Sequence, residues 1–123
     1  MQVHEIESVM TKPPQWASAD GSARFWTPQP FNQGFLWVGR FSGQSPWERH
    51  PDSDELLHLV EGETDLTLLT DGGPVTVTLR PGSIFIVPRG HWHRHLARGV
   101  VTEYGVTPGR TEHSTADDPR HAG

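Results

Sequence analysis

The feature that most constrains this chain is a rhythm. Short runs of β-branched and aromatic residues are each followed by a cluster of Gly, Pro, Asp or Ser, from residue 24 to residue 107. Eight runs can be read: Arg24–Thr27, Phe35–Phe41, Glu55–Val60, Asp65–Thr70, Val75–Leu79, Ser83–Val87, His93–Ala97 and Val100–Thr107. Runs of this length and composition, bounded by turn formers, form β-strands. Val75-Thr76-Val77-Thr78-Leu79 alternates apolar and polar with period two, so one face of that strand is buried. Thr70-Asp71-Gly72-Gly73-Pro74 marks a tight hairpin just before it, because glycine supplies the positive φ that such turns need. No helical period, long repeat or low-complexity block competes with this reading. Many strands in so short a chain must close or double over, since open edges invite aggregation. The expected fold is an all-β jelly roll or up-and-down barrel.

At 123 residues the chain is one domain. Residues 1–22, with Pro13-Pro14 and the small polar run Ala17 to Ala23, are expected to form an extended N-terminal arm. Residues 23–110 would form the barrel. Residues 111–123 carry too little apolar matter to pack and are expected to be a flexible tail. The absence of cysteine excludes disulfides, thiolate nucleophiles and Cys-ligated metals, so any ion must sit on His, Asp or Glu. A net charge of −5 argues against a nucleic-acid partner. No apolar stretch is long enough for a membrane helix, and the opening MQVHEIESVM lacks a basic, then apolar, leader, so the expected location is cytoplasmic.

Two constellations carry chemistry. The first is His50-Pro51-Asp52-Ser53-Asp54-Glu55, where a turn-prone bend can bring a histidine and a carboxylate to one point. Glu55 shares a strand face with Leu57 and Leu59, so if that face is the core the carboxylate points inward and demands a cation. The second runs from Gly82 through Pro88-Arg89-Gly90 to His91-Trp92-His93-Arg94-His95, a buried strand, a turn and a His-rich strand. His93 and His95 lie on one face of it.

At these residues the sequence resembles the cupin superfamily, whose motifs are written G-x5-H-x-H-x3,4-E-x6-G and G-x5-P-x-G-x2-H-x3-N. His50-x4-Glu55-x6-Gly62 matches the second half of the first, and Gly82-x5-Pro88-x-Gly90-x2-His93 matches the second without a gap. The resemblance covers roughly residues 35–110. It implies a double-stranded β-helix, or jelly-roll barrel, with a divalent transition metal (Fe, Mn, Ni or Zn) held by His50, Glu55 and His93. The sequence departs from the family at Glu48, which stands where the first motif histidine belongs, and at Ala97, which stands in place of the terminal Asn. Glu48 either ligates, giving a two-His, two-carboxylate set, or swings away, leaving a two-His-one-carboxylate triad with open positions. Loss of the metal is the third alternative.

Around that set, His95 is a candidate proton shuttle, Glu48 a second proton-handling group, and Tyr104 a candidate acid if the face it shares with Val100, Thr102 and Val106 is inward. His4, His58, His91, His113 and His121 are expected to be solvated or packed. Arg89, Arg94 and Arg98 are split between strand faces and read as a solvated rim, and the aromatics Trp26, Trp37, Phe41, Trp47, Phe85 and Trp92 as core or interface. The resemblance implies a metal-dependent enzyme on a small organic molecule, by oxygenation, isomerisation, decarboxylation or lyase chemistry, working as a homodimer. A non-catalytic small-molecule binding module is the other reading.

Overall fold

A computed structural model describes residues 1–121; residues 122 and 123 and the His121 side chain, at the end of the expected tail, lie outside the described residues. Among the described residues there are ten strands: β1 (Trp16–Ala17), β2 (Ala23–Phe31), β3 (Gly34–Gln44), β4 (Trp47–Arg49), β5 (Glu55–Glu61), β6 (Thr64–Thr70), β7 (Gly73–Leu79), β8 (Ile84–Val87), β9 (His93–Thr107) and β10 (Glu112–Ser114). A one-turn helix, α1 (Ile6–Val9), precedes them, and a 3-10 turn, Pro119–His121, follows. No helix is long and apolar enough to cross a membrane.

β9 organises the barrel. Its first part pairs antiparallel with β6, from Leu68↔His93 to Thr64↔Ala97, and its second part with β5, from Glu61↔Thr102 to Leu56↔Val106. On its other edge it pairs with β3, and there the register passes from Phe41↔Val101 to Gly43↔Ala97. Residues 98–100 therefore leave the ladder as a bulge. Bulges bend a strand and increase its twist, which lets one strand serve two sheets and roll the structure into an antiparallel jelly-roll barrel. The two runs expected at His93–Ala97 and Val100–Thr107 are thus one bent strand.

The barrel interior is lined by Phe41, Leu57, Leu59, Leu66, Leu68, Leu79, Val87, Ala97 and Val101. Leu57, Leu59 and Leu66 are essentially inaccessible, and full burial of such a side chain stabilises by roughly 1.5–3 kcal/mol. Period-two alternation puts Glu55 on the same inward face of β5 as Leu57 and Leu59. Gly62 ends that strand at φ +86°, where an added Cβ would lie 2.5 Å from the Val100 carbonyl oxygen. Only glycine lets β5 turn this close to β9.

The first 22 residues and residues 111–121 make more contacts with the barrel than their composition suggests. Ile6, Val9 and Met10 follow helical spacing, and α1 packs them on the outer face against Trp26 and Val38. The Trp26 indole donates to the Lys12 carbonyl at 2.7 Å, and β1 pairs with β2, so the first 22 residues are seated rather than a plain extended arm. At the other end β10 pairs with β4, the Trp47 indole donates to the Asp117 carbonyl at 3.2 Å, and Arg120 donates to the Thr70 carbonyl at 3.0 Å. Segment 111–121 packs through backbone and side-chain hydrogen bonds. Counting apolar residues misses that kind of anchoring.

Candidate metal centre

Two turns bring the candidate ligands together. His50 follows β4 directly and Glu55 opens β5, with the bend Pro51–Asp54 between them. The Pro88-Arg89-Gly90 turn is latched onto that bend: the Gly90 amide donates to the His50 carbonyl at 2.9 Å, and the Arg89 amide to Asp54 Oδ1 at 2.9 Å. Gly90 sits at φ +81°, a left-handed conformation that side chains resist and glycine accepts. Three residues later β9 begins at His93, which faces Glu48 across the β4–β9 pairing.

Glu48, His50, Glu55 and His93 each present one ligand atom, and all four atoms lie within 4.8 Å of one another. His50 Nε2 is 3.0 Å from Glu55 Oε2, and His93 Nε2 is 3.4 Å from Glu55 Oε1. Glu48 Oε2 is 3.9 Å from each of the two Nε2 atoms. An ion about 2.1 Å from every ligand separates its ligands by about 3.0–4.2 Å, from right-angled to opposed. These four separations, 3.0 to 3.9 Å, fall in that range. Glu48 is turned toward the set, not away from it. His50 Nε2 is buried and has no hydrogen bond of acceptable geometry, so its lone pair or proton is unanswered by protein. The remaining atoms of the set are held from outside. His93 Nδ1 donates to the His91 carbonyl at 3.0 Å, His50 Nδ1 lies 3.0 Å from Thr111 Oγ1, and the Thr107 hydroxyl donates to Glu55 Oε2. Such partners fix which ring nitrogen faces the centre.

Electrostatics agree with a cation-seeking site. Burial by itself would raise the Glu55 carboxyl, but the adjacent imidazoles of His50 and His93 hold it below the usual carboxylate range. Burial pulls His93 down, and its bond to Glu55 more than offsets this, leaving it raised. Without an ion, a proton on His93 favours positive charge beside the inward carboxylate.

A second polar pair lies on the same inward face of β9. His95 Nε2 is 3.4 Å from Glu103 Oε1, His95 Nδ1 is 3.3 Å from Thr64 Oγ1, and the imidazole packs on Phe41 with centroids 5.0 Å apart. Glu103 is 1% exposed, and neither of its carboxyl oxygens has a hydrogen-bond partner. Burial, reinforced by the charges of Glu55 and Glu48, raises Glu103 well above its ordinary value. Burial and the His93 charge lower His95 to about 4. Both shifts favour the uncharged forms. The sequence reading passed over Glu103, although Val101, Glu103, Gly105 and Thr107 alternate on one face just as Glu55, Leu57 and Leu59 do.

Tyr104 is a correction. The inward face of β9 is that of Val101 and Glu103, so Tyr104 points outward, against the α1 cluster, with its hydroxyl 2.9 Å from His58 Nδ1. It does not reach the centre. Among the other histidines, His4 bonds Gln29 at 2.8 Å, and His91 turns its carbonyl to His93 while its own Nδ1 lies 3.3 Å from the Arg89 carbonyl. His113, expected to be merely solvated or packed, instead has Nε2 3.1 Å from Glu48 Oε1. Arg49 and Arg94 cover the rings of Trp92 and Trp47 at 4.6 and 4.2 Å, while Arg98 pairs with Glu63 at the surface.

An antiparallel jelly roll with two histidines and two carboxylates converging inside it defines a class of protein. A family profile described as a cupin domain matches residues 40–102, and the chain belongs to the cupin superfamily. A cupin-2 domain-containing protein from Shewanella frigidimarina NCIMB 400 superposes with a TM-score of 0.57 at 20% identity, covering 73% of this chain and 79% of the other. Bacillus subtilis oxalate decarboxylase, solved in a study of its Mn(II) centres, superposes with a TM-score of 0.66 at 15% identity over 85% of this chain and 30% of its own. At these identities the likeness is one of fold. In sequence, the uncharacterized protein YdbB of Bacillus subtilis (strain 168) is 37% identical over 54 residues, 44% of this chain. That match spans 45% of YdbB's length.

Proposed function

We propose that this cupin binds one divalent transition ion through His50, Glu55, His93 and Glu48 and uses it to act on a small, oxygen-bearing organic molecule. The observation that carries the reading is the convergence of the four ligand atoms, one of them on His93, far in sequence from the other three, around one point inside the barrel. When bound, such an ion supplies Lewis-acid polarisation of a carbonyl, carboxylate or enolate oxygen. The Mn(II) centres named for oxalate decarboxylase lend support, since that protein shares the fold.

The chain's own residues divide the remaining work. Thr107 and the His91 carbonyl hold Glu55 and His93 in place, and Glu48, with 37% of its side chain exposed, marks the open side by which a ligand arrives. His95 and Glu103 stand by as a neutral pair in which a carboxyl proton and an imidazole nitrogen face each other. Residues 23–110 supply all four ligands, with the N-terminal segment as an outer clasp. A homodimer is supported by β8, which pairs only with β5 and leaves Ile84 and Ile86 exposed at 66% and 47% on the outer face. An apolar edge of this kind is normally covered.

Elemental analysis of protein purified without an affinity tag tests the reading. It predicts close to one transition ion per chain, lost in His93→Ala. Protein that arrives metal-free and takes up neither Zn²⁺ nor Mn²⁺ on titration, yet binds a small molecule, is a binding module instead.

A further inference from the structure

β10 reaches the centre from the far end of the chain. Pairing with β4 sets His113 opposite Glu48 and Glu112 opposite Arg49. Directly opposed residues on neighbouring strands share a face, so His113 meets the carboxylate of Glu48 on the site side, while Glu112 pairs with Arg49 at 3.1 Å on the other. The two oxygens of Glu48 are thereby made unequal. Oε1 accepts from His113 Nε2 at 3.1 Å, and Oε2 is the one that faces His50 and His93. The residue leading into β10 does the same for a second ligand, since Thr111 Oγ1 lies 3.0 Å from His50 Nδ1 and leaves Nε2 turned to the centre.

From this we infer that the Thr111–Ser114 segment is part of the metal centre, with His113 a positioning residue for Glu48 and Thr111 one for His50. The inference rests on the metal-binding reading above. Its physical basis is pre-organisation. Glu48 is a long side chain, 37% exposed, with several rotamers open to it, and the bond from His113 selects before the ion arrives the one that presents Oε2. Partners behind metal ligands are typically worth 10- to 100-fold in affinity, and because His113 is itself 59% exposed the lower end is expected, about tenfold.

The test is affinity, not turnover. Mn²⁺ is titrated into the full chain and the free aqua ion followed by electron paramagnetic resonance, with Zn²⁺ measured against a chromophoric chelator. Both are done for wild type, His113→Ala, His113→Gln, Thr111→Val, Glu48→Gln, His113→Ala with Glu48→Gln, and His4→Ala. The account expects His113→Ala to bind about tenfold more weakly and His113→Gln, whose amide N–H can still donate, to recover most of the loss. His113→Ala should have no further effect in the Glu48→Gln background. Thr111→Val, which leaves the β4–β10 pairing intact, should weaken binding on its own, and His4→Ala should match wild type. Wild-type binding unchanged by His113→Ala and by Thr111→Val, or an equal His113→Ala loss with and without Glu48, overturns this inference alone. Absence of binding in the wild type overturns the metal reading and this inference with it.

Discussion

Glu103 is the residue whose environment is hardest to reconcile with stability alone. A carboxyl group buried without a hydrogen-bond partner carries a desolvation cost, and that burial shifts the group toward its protonated form. The sign of the consequence follows. Below the ordinary carboxyl value of 4.5 both folded and unfolded chains are protonated at this position, and no penalty arises. As pH rises beyond it, the unfolded chain ionises and the folded chain does not, so stability falls by up to about 1.4 kcal/mol per pH unit until the raised folded value is passed. Glu103→Gln removes that slope. Urea midpoints of metal-free protein should therefore show the variant gaining on wild type between pH 5 and pH 7, and a constant difference across that range contradicts the assignment. Glu55, held low, is ionised in both states over this window, and the His93 contribution is common to both proteins. Four ligand candidates were legible in the sequence because turn formers and period-two alternation carry the cupin spacing. Glu103 was equally legible by its alternation with Val101 and Gly105, but no motif drew attention to it. Tyr104 was misplaced because its strand's phase is set by tertiary packing: the α1 cluster covers the face that the sequence left open.

At the scale of elements, β9 has to be both long and bent. Gly105 lies where it passes Trp37 and Leu56, and an added Cβ there would sit 2.5 Å from the Trp37 ring and 2.6 Å from the Leu56 carbonyl oxygen. The Leu56 carbonyl belongs to the β5–β9 ladder and the Trp37 indole is tied to Thr107 Oγ1 at 2.8 Å, so Gly105→Ala should cost about 1–3 kcal/mol, the usual range for overpacking. Gly99, in the bulge, has nothing within 4 Å of its would-be Cβ, and Gly99→Ala should be close to neutral. Thermal melts of the two variants check the contrast, and equal losses contradict the bulge. The strand runs read from sequence correspond to the longer strands because their alternation persists over several residues. β1, β4 and β10, of two or three residues each, carry too little pattern to be seen, and β10 exists because β4 offers it a free edge. The pairing of β10 with β4 gives residues 112–114 backbone partners that a count of apolar residues does not reveal.

For the whole molecule, an ion that binds only the folded chain stabilises it by mass action, by about 2.7 kcal/mol at a hundred times its dissociation constant. Melting of wild type should rise on adding Zn²⁺ or Mn²⁺ and return with a chelator, whereas His93→Ala should respond to neither. The same scale governs assembly. Replacing Ile84 and Ile86 together by lysine should turn a dimer into a monomer in light scattering coupled to size-exclusion chromatography, while far-ultraviolet circular dichroism stays unchanged. A wild type that is already monomeric removes the dimer from the account and leaves the metal centre untouched. The most direct test of that centre is an anomalous-difference map from crystals grown with Zn²⁺. The account predicts a peak inside the barrel, about 2.0–2.2 Å from His50 Nε2, His93 Nε2 and one oxygen each of Glu55 and Glu48. Clear density for those four side chains with no peak among them, or with the ion bound elsewhere, contradicts it.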